Sequence, residues 1–209
     1  MPTLEAPQLG KNGRILEGIV TTLNEDGTVN ISPMGPIVDA QCRVLVFRPF
    51  QTSLTHRNLV RQREGIFHVT DDVGLIATAA VGIPQPFPRL ESAKKVQGMA
   101  IANACRWYEF RIESIDDREE RASMLGVSVH QVSNRDFFGF NRAQHAVLEA
   151  AILATRISLL EKEELAGEMS RLETVVKKTA AAAEQSAFTF LREYIDAFHS
   201  SIKREACTK

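Results

Sequence analysis

The stretch that most constrains how this chain can fold is residues 44–69, VLVFRPFQTSLTHRNLVRQREGIFHV. It opens on an apolar, β-branched run, Val44, Leu45, Val46 and Phe47, which reads as a buried strand. Pro49 ends that strand, because proline has no N–H to give to a ladder. Ser53 and Thr55 are both capping residues, and residues 55–62 have the polarity of one short helix, which Gly65 breaks before a second strand at 66–69. A guanidinium at Arg48, two hydroxyls and the first turn of a helix therefore converge at the end of a strand. A helix start offers free N–H groups and the positive end of its dipole to an anion. Arginine adds a planar fork suited to phosphate. The alternative is an ordinary helix cap beside a surface arginine, and from this stretch alone both readings stand.

Strands flank it on both sides. Residues 14–23 read as a strand, Asn24-Glu25-Asp26-Gly27 as a hairpin turn carrying the Asp-Gly dipeptide, and 28–32 as the returning partner. Pro33-Met34-Gly35-Pro36 reads as loop, and 37–40 as a brief edge pairing. Beyond residue 69, Thr70-Asp71-Asp72 supplies a cap and first-turn acids for an Ala-rich helix at 73–81, and three prolines make 83–89 a loop. Residues 92–102 fit either partial helix or a mobile excursion. Residues 105–115 alternate, with Trp107, Glu109 and Arg111 on one face and Tyr108, Phe110 and Ile112 on the other, which is a strand of period two. A charged turn at 116–121 leads to another strand at 124–132.

From Phe137 onward the signals become helical. A stripe of Ala143, Val147, Ala150, Ala151, Ala154, Ile157 and Leu160 marks a helix over 142–160. Leu165, Met169, Leu172 and Val176 mark a second over 164–178, and Phe190, Tyr194, Ile195, Phe198 and Ile202 a third from about residue 183. The class is α+β: an antiparallel strand-rich domain over 1–136, then a helical domain over 137–209. Five or six strands with hairpins and only short helices suggest a small closed barrel, which would leave no edges exposed.

The 209 residues carry a formal net charge of -1, which gives no global pull towards nucleic acid or an anionic membrane. No apolar run approaches the ~18 residues that span a bilayer, and the first residues lack the apolar core of a signal peptide. A cytoplasmic protein is the expectation, with Cys42, Cys105 and Cys207 as reduced structural thiols. The five histidines, His56, His68, His130, His145 and His199, have no metal-ligand spacing, so no metal site is expected. His68 reads as a hydrogen-bonded barrel residue, Asp71-Asp72 as a helix cap, and Trp107 and Tyr108 as barrel packing. A nucleophile elbow, a P-loop and a glycine-rich dinucleotide fingerprint are all lacking.

Three stretches carry a family resemblance: GIVTTLNEDGTVNISPMGP, RPFQTSLTHRNL with the later acidic pair Asp71-Asp72, and FFGFNRAQHAVLEAAILATR. Together they resemble the conserved family catalogued as domain of unknown function 447, from about Leu16 to the last helix. That resemblance implies a split β-barrel of the flavin-reductase-like and pyridoxamine-phosphate-oxidase-like kind, with FMN at a homodimer interface. It also implies a setting beside tetrahydromethanopterin-linked one-carbon metabolism. Carried onto this chain, the flavin ring and ribityl chain would lie along Asn30, Ile31, Ser32, Pro33, Met34 and Gly35. The phosphate would meet Arg48, Ser53 and Thr55, with Asn58 in the place of an asparagine that often follows in flavin reductases. The helical third and residues 84–99 depart from the simplest flavin reductases.

Asn141, Arg142 and His145 open the long helix, the first and last on one face, and read either as a substrate contact or as a cap with solvated neighbours. The expected function is that of an FMN-binding split-barrel protein, acting as a flavin-dependent oxidoreductase in which the flavin supplies the redox chemistry. The alternative is a non-redox binding or scaffold protein that holds FMN, a pterin or another phosphorylated small molecule.

Overall fold

The computed structural model describes residues 5–207, with side chains described as far as Ser201. The chain runs β1 (Arg14–Ile15), β2 (Gly18–Leu23), β3 (Val29–Met34), β4 (Ile37–Val38), β5 (Val44–Phe47), α1 (Leu54–Gln62) and β6 (Glu64–Val69). There follow α2 (Val73–Ala80), β7 (Leu90–Ser92), β8 (Met99–Ile101), β9 (Arg106–Asp116) and β10 (Ser123–Ser133). The helices α3 (Arg142–Thr155), α4 (Lys162–Thr179) and α5 (Ala182–Cys207) complete it. Two compact units result: the chain up to Asp71 with Pro88–Phe137, and Asp72–Phe87 with the chain from Phe138 on.

In the first unit eight strands form one antiparallel sheet in the order β1-β4-β5-β10-β9-β6-β2-β3, and β7 and β8 pair as a separate hairpin. The sheet curls around one core, since Val20, Leu45, Phe47, Phe67, Phe110 and Met124 from five of its strands meet there with Leu59 of α1. Phe47 and Phe110 lie 4.4 Å apart, centroid to centroid, with Phe67 edge-on to Phe47 at 6.4 Å. Each such fully buried side chain contributes about 1.5–3 kcal/mol. The sheet is nevertheless a half-barrel and not the closed barrel its pattern suggested, because β1 and β3 end the order and do not pair with each other.

Several local expectations are corrected. The strand expected over 14–23 is two, because the chain changes partner: β1 pairs with β4, whereas β2 pairs with β3 and β6. Pro33 and Met34, expected in a loop, belong to β3; Pro33 is tolerated because β3 is an edge strand with one flank unpaired. Gly65 does not break α1. The helix stops at Arg63, whose left-handed φ of 57° lets its N–H reach Leu59 O. Gly65 lies inside β6, where a Cβ would fall 2.7 Å from Phe110 Cζ. Asp72 caps α2, but Asp71 does not; its carboxylate takes both ends of the Arg135 guanidinium.

Residues 92–102 are neither helix nor excursion: they supply most of the β7–β8 hairpin, which covers the outer face of the sheet. Period two turns Ile19, Thr21, Ile66, His68, Trp107 and Glu109 away from the core cluster, yet all are buried. Thr21 Oγ1 donates to Met99 O at 2.7 Å, and the N–H groups of Lys94 and Lys95 donate to the two oxygens of Glu109. The fully buried Glu109 is thus held by the turn of the hairpin that hides it.

In the second unit α2 packs with α3 and α5. Asn141 Oδ1 accepts from Ala143 N at 2.8 Å and caps α3. The stripe of α4 is buried as its spacing predicts, and that of α3 as far as Ile157, but α3 ends at Thr155 and not at 160, and Leu160 beyond it is half-buried. The stripe of α5 is displaced, with Ala187, Phe188, Leu191 and Ile195 buried and Phe190, Tyr194 and Phe198 half-buried beside it. Ile202 and Cys207, named from the sequence, lie outside the described side chains. Glu184 ties the helices together, accepting from Ala181 N and from the side chain of Gln144 in α3. No helix among the described residues is long and apolar enough to cross a membrane.

Candidate functional site

The candidate site forms where β5 hands over to α1. The turn between them is anchored to the β9–β10 connection: Ala122 N donates to Pro49 O at 3.0 Å, and Gln51 Nε2 donates to the carbonyls of Asp117 and Glu119. Arg121 lies over the Phe50 ring at 4.0 Å. Ser53, extended at φ -75° and ψ 151°, then starts the helix, and its hydroxyl accepts from His56 N at 3.1 Å. The N–H groups of Leu54 and Thr55 precede the helical ladder and carry the positive end of its dipole. Two positions earlier than this turn's Phe50, Arg48 is exposed and has no ion pair among the described residues. The structure therefore brings Arg48, Ser53 and a helix start onto one short anchored segment.

Thr55 and Asn58 lie on the inner side of α1 and are buried. Asn30 Nδ2 donates to Thr55 Oγ1 at 3.0 Å and to Thr22 Oγ1 at 3.2 Å. Asn58 Nδ2 donates to Thr22 Oγ1 at 3.0 Å and to Asn24 Oδ1 at 2.8 Å. Asn30 and Asn58 thus meet at Thr22, Thr55 joins them through Asn30, and together they pin α1 to the β2–β3 hairpin. Thr22 was not singled out from the sequence. The signal was present, because the Asp-Gly turn sets a register that puts Thr22 opposite Asn30. His56 was missed as a site residue as well: it is buried in the first turn of α1 with neither ring nitrogen partnered.

The six residues 30–35 do not present one surface. Asn30, Ser32 and Met34 face the core side with their partners Thr22, Val20 and Gly18, and Met34 packs on the core cluster. Ile31 and Pro33 face the other way, opposite Thr21 and Ile19. A Cβ on Gly35 would fall 2.7 Å from the Glu17 carboxylate and from Ile15 Cγ2. Asn141, Arg142 and His145 belong to the helical unit, where Asn141 is the cap, Arg142 and His145 are exposed, and Phe140 meets His145 edge-on at 6.0 Å.

Burial sets the electrostatics of the barrel interior. It pushes the Tyr108 phenol up to about 12, helped by its hydrogen bond with Cys42. Burial, and then the negative charge of Asp71, raise the Cys105 thiol above its ordinary value. Cys42 and Cys105 are both free and buried. Among the described residues no three His, Cys, Asp or Glu side chains are placed to hold a metal ion.

Comparison with known proteins places this geometry. The model described as "Protein of unknown function (DUF447) N-terminal domain" matches residues 16–135, and that described as "Protein of unknown function (DUF447)" matches residues 141–193. An FMN-bound protein from Methanosarcina mazei with the same family model is similar in structure, with a TM-score of 0.76 at 22% identity over 86% of this chain and 94% of that one. Nitrilotriacetate monooxygenase component B from Bacillus cereus gives a TM-score of 0.50 at 16% identity, over 61% of this chain and 72% of that one. Among curated proteins none matches. The likenesses establish the fold: a half-barrel of the type found in FMN-bound proteins, followed by helices.

Proposed function

The chain belongs to the DUF447 family, and on that premise we propose that it is an FMN-binding split-barrel protein that acts as a flavin-dependent oxidoreductase. The observation that carries the reading is Arg48, exposed and without an ion pair among the described residues, on the anchored turn that leads into the start of α1. A doubly charged phosphate fits there. The guanidinium offers a two-pronged donor, and the helix start offers backbone N–H groups already aligned by the Ser53 cap. The family relative from Methanosarcina mazei, bound to FMN and alike over 86% of this chain, supports FMN as the phosphate's source.

When bound, the flavin supplies the electron transfer. The residues of this chain hold and orient it. Arg48 and the first turn of α1 fix the phosphate end. The Thr22 hub, by locking Asn30, Thr55 and Asn58, keeps that first turn at a fixed distance from β3. Asn30 and Thr55 act through this lock, since their side chains already satisfy each other, while Arg48 and Ser53 remain the groups that meet the ligand. We also place the functional unit as a homodimer.

The test is spectroscopic. Purified protein, as isolated or after incubation with FMN and gel filtration, should carry the visible absorbance of bound oxidised flavin and bleach when reduced. Protein that excludes FMN after both treatments would overturn the reading. Flavin that binds and reduces but never passes electrons to an acceptor would leave a non-redox carrier.

A further inference from the structure

We propose that the cavity between α4 and α5 is a second binding site, and that it takes a free apolar α-amino acid; the proposal stands on the helical unit alone and does not depend on the flavin reading. The two helices are joined by Ala180 and Ala181 only, so they run antiparallel. Both helices line the cavity, and Arg192 of α5 reaches Glu173 of α4 across it. It encloses about 240 Å³, small beside the pockets of about 300–1,000 Å³ that hold drug-sized ligands. Leu165, Met169, Phe188 and Ile195 are buried and form its floor.

Charge at the mouth narrows the occupant. Apart from His199, the lining holds two cations, Lys162 and Arg192, and two anions, Glu173 and Asp196. Arg192 and Glu173 satisfy each other at 2.9 Å, and Glu173 also takes Lys177 at 3.1 Å. That leaves Lys162 and Asp196, one of each sign, with no ion pair among the described residues, one on each of the two helices that wall the cavity. A simple carboxylate would answer Lys162 but bring a like charge towards Asp196; a simple amine would do the reverse. A zwitterion with an apolar side chain satisfies both walls and the floor together. Its carboxylate would go to Lys162, at the start of α4 where Glu161 supplies no side-chain cap, and its ammonium to Asp196.

Methyl-labelled methionine gives a local readout, since Met169 lines the cavity and is one of the chain's five methionines. Full-length protein is titrated with L-leucine, with isocaproate (no ammonium) and with isoamylamine (no carboxylate), each to about 10 mM. The expected result is a saturable shift of the Met169 methyl with leucine, at least about tenfold weaker with either analogue. Lys162→Ala and Asp196→Ala, both at the exposed mouth, should each weaken leucine about tenfold while the other methionine methyls keep their positions. No Met169 shift with leucine, or isocaproate binding as well as leucine with Asp196→Ala silent, would overturn the proposal.

Discussion

The backbone N–H of Ile101 in β8 donates to Nε2 of His68 in β6 at 3.0 Å, and the other ring nitrogen of His68 lies 3.0 Å from Ile19 O in β2. Since an N–H can only donate, Nε2 carries the lone pair and Nδ1 carries the proton that goes to Ile19. One neutral imidazole thereby fastens the hairpin to the sheet. Burial holds its pKa down at about 4, against an ordinary 6.5.

This gives a pH dependence of known sign. Above the unfolded value of 6.5 both states are neutral at His68 and its contribution is fully present. As pH falls towards 4 the unfolded chain takes a proton that the folded chain refuses, so stability drops, by about 3 kcal/mol in total from this group. Urea melts between about pH 7.5 and pH 4.5 should show wild type losing more stability than His68→Gln. Equal losses would mean that His68 is not held neutral.

Thr22→Val keeps the shape of the side chain but removes the acceptor shared by Asn30 and Asn58. Each buried donor left unpaired costs about 1–3 kcal/mol. Chemical denaturation should show a loss in that range, and FMN affinity should fall with it because only Asn30–Thr55 and Asn58–Asn24 then hold α1 to the β2–β3 hairpin. A fully stable variant would show that the hub does not hold the helix.

Gly65→Ala puts a methyl group 2.7 Å from Phe110 Cζ and 3.2 Å from Thr21 O, one a core ring and the other backbone. Neither can yield cheaply, so we expect a loss of about 1–3 kcal/mol and a lowered melting temperature. An unchanged melt would mean that the core there is loosely packed.

Arg48→Ala should weaken FMN binding about tenfold to a hundredfold, from the loss of one charge-assisted bond worth about 1.5–3 kcal/mol. Riboflavin has no phosphate and should be nearly indifferent. Fluorescence titration of both ligands separates the cases, and equal losses would show that Arg48 does not meet a phosphate.

A ligand shared between two subunits binds the assembled form alone and drives assembly by mass action. Light scattering on diluted protein should therefore show a dimer, more completely so with FMN present. The helical unit leaves Phe138 at 79%, Phe140 at 96% and Leu159 at 78% exposed, apolar surface of the kind that interfaces cover. A folded monomer that binds one FMN would exclude the shared site.

Sequence alone determined the elements whose signals are local. The β5–α1–β6 order followed from the apolar run 44–47, Pro49 and the Ser53 cap, and period two put Tyr108, Phe110 and Ile112 on one face of a strand, the face that the structure turns to the core. Helical spacing placed the stripe of α4 without error. Resemblance of three stretches gave the fold class. Tertiary structure decided what depends on partners distant in the chain. Whether Pro33 could stand in a strand depended on β3 being an edge, and whether Gly65 ended a helix or accommodated Phe110 depended on β9. Residues 92–102 carry no alternating apolar pattern of their own, because their hairpin is held by polar contacts to Thr21, His68 and Glu109. The division of the candidate site was decided there too. Arg48 faces solvent while Thr55 and Asn58 turn inward to Thr22 and Asn30, since β2, β3 and α1 meet only once the sheet has curled. Periodicity reports how a residue relates to its chain neighbours; which face is covered, and by what, is set by contacts that no local window contains.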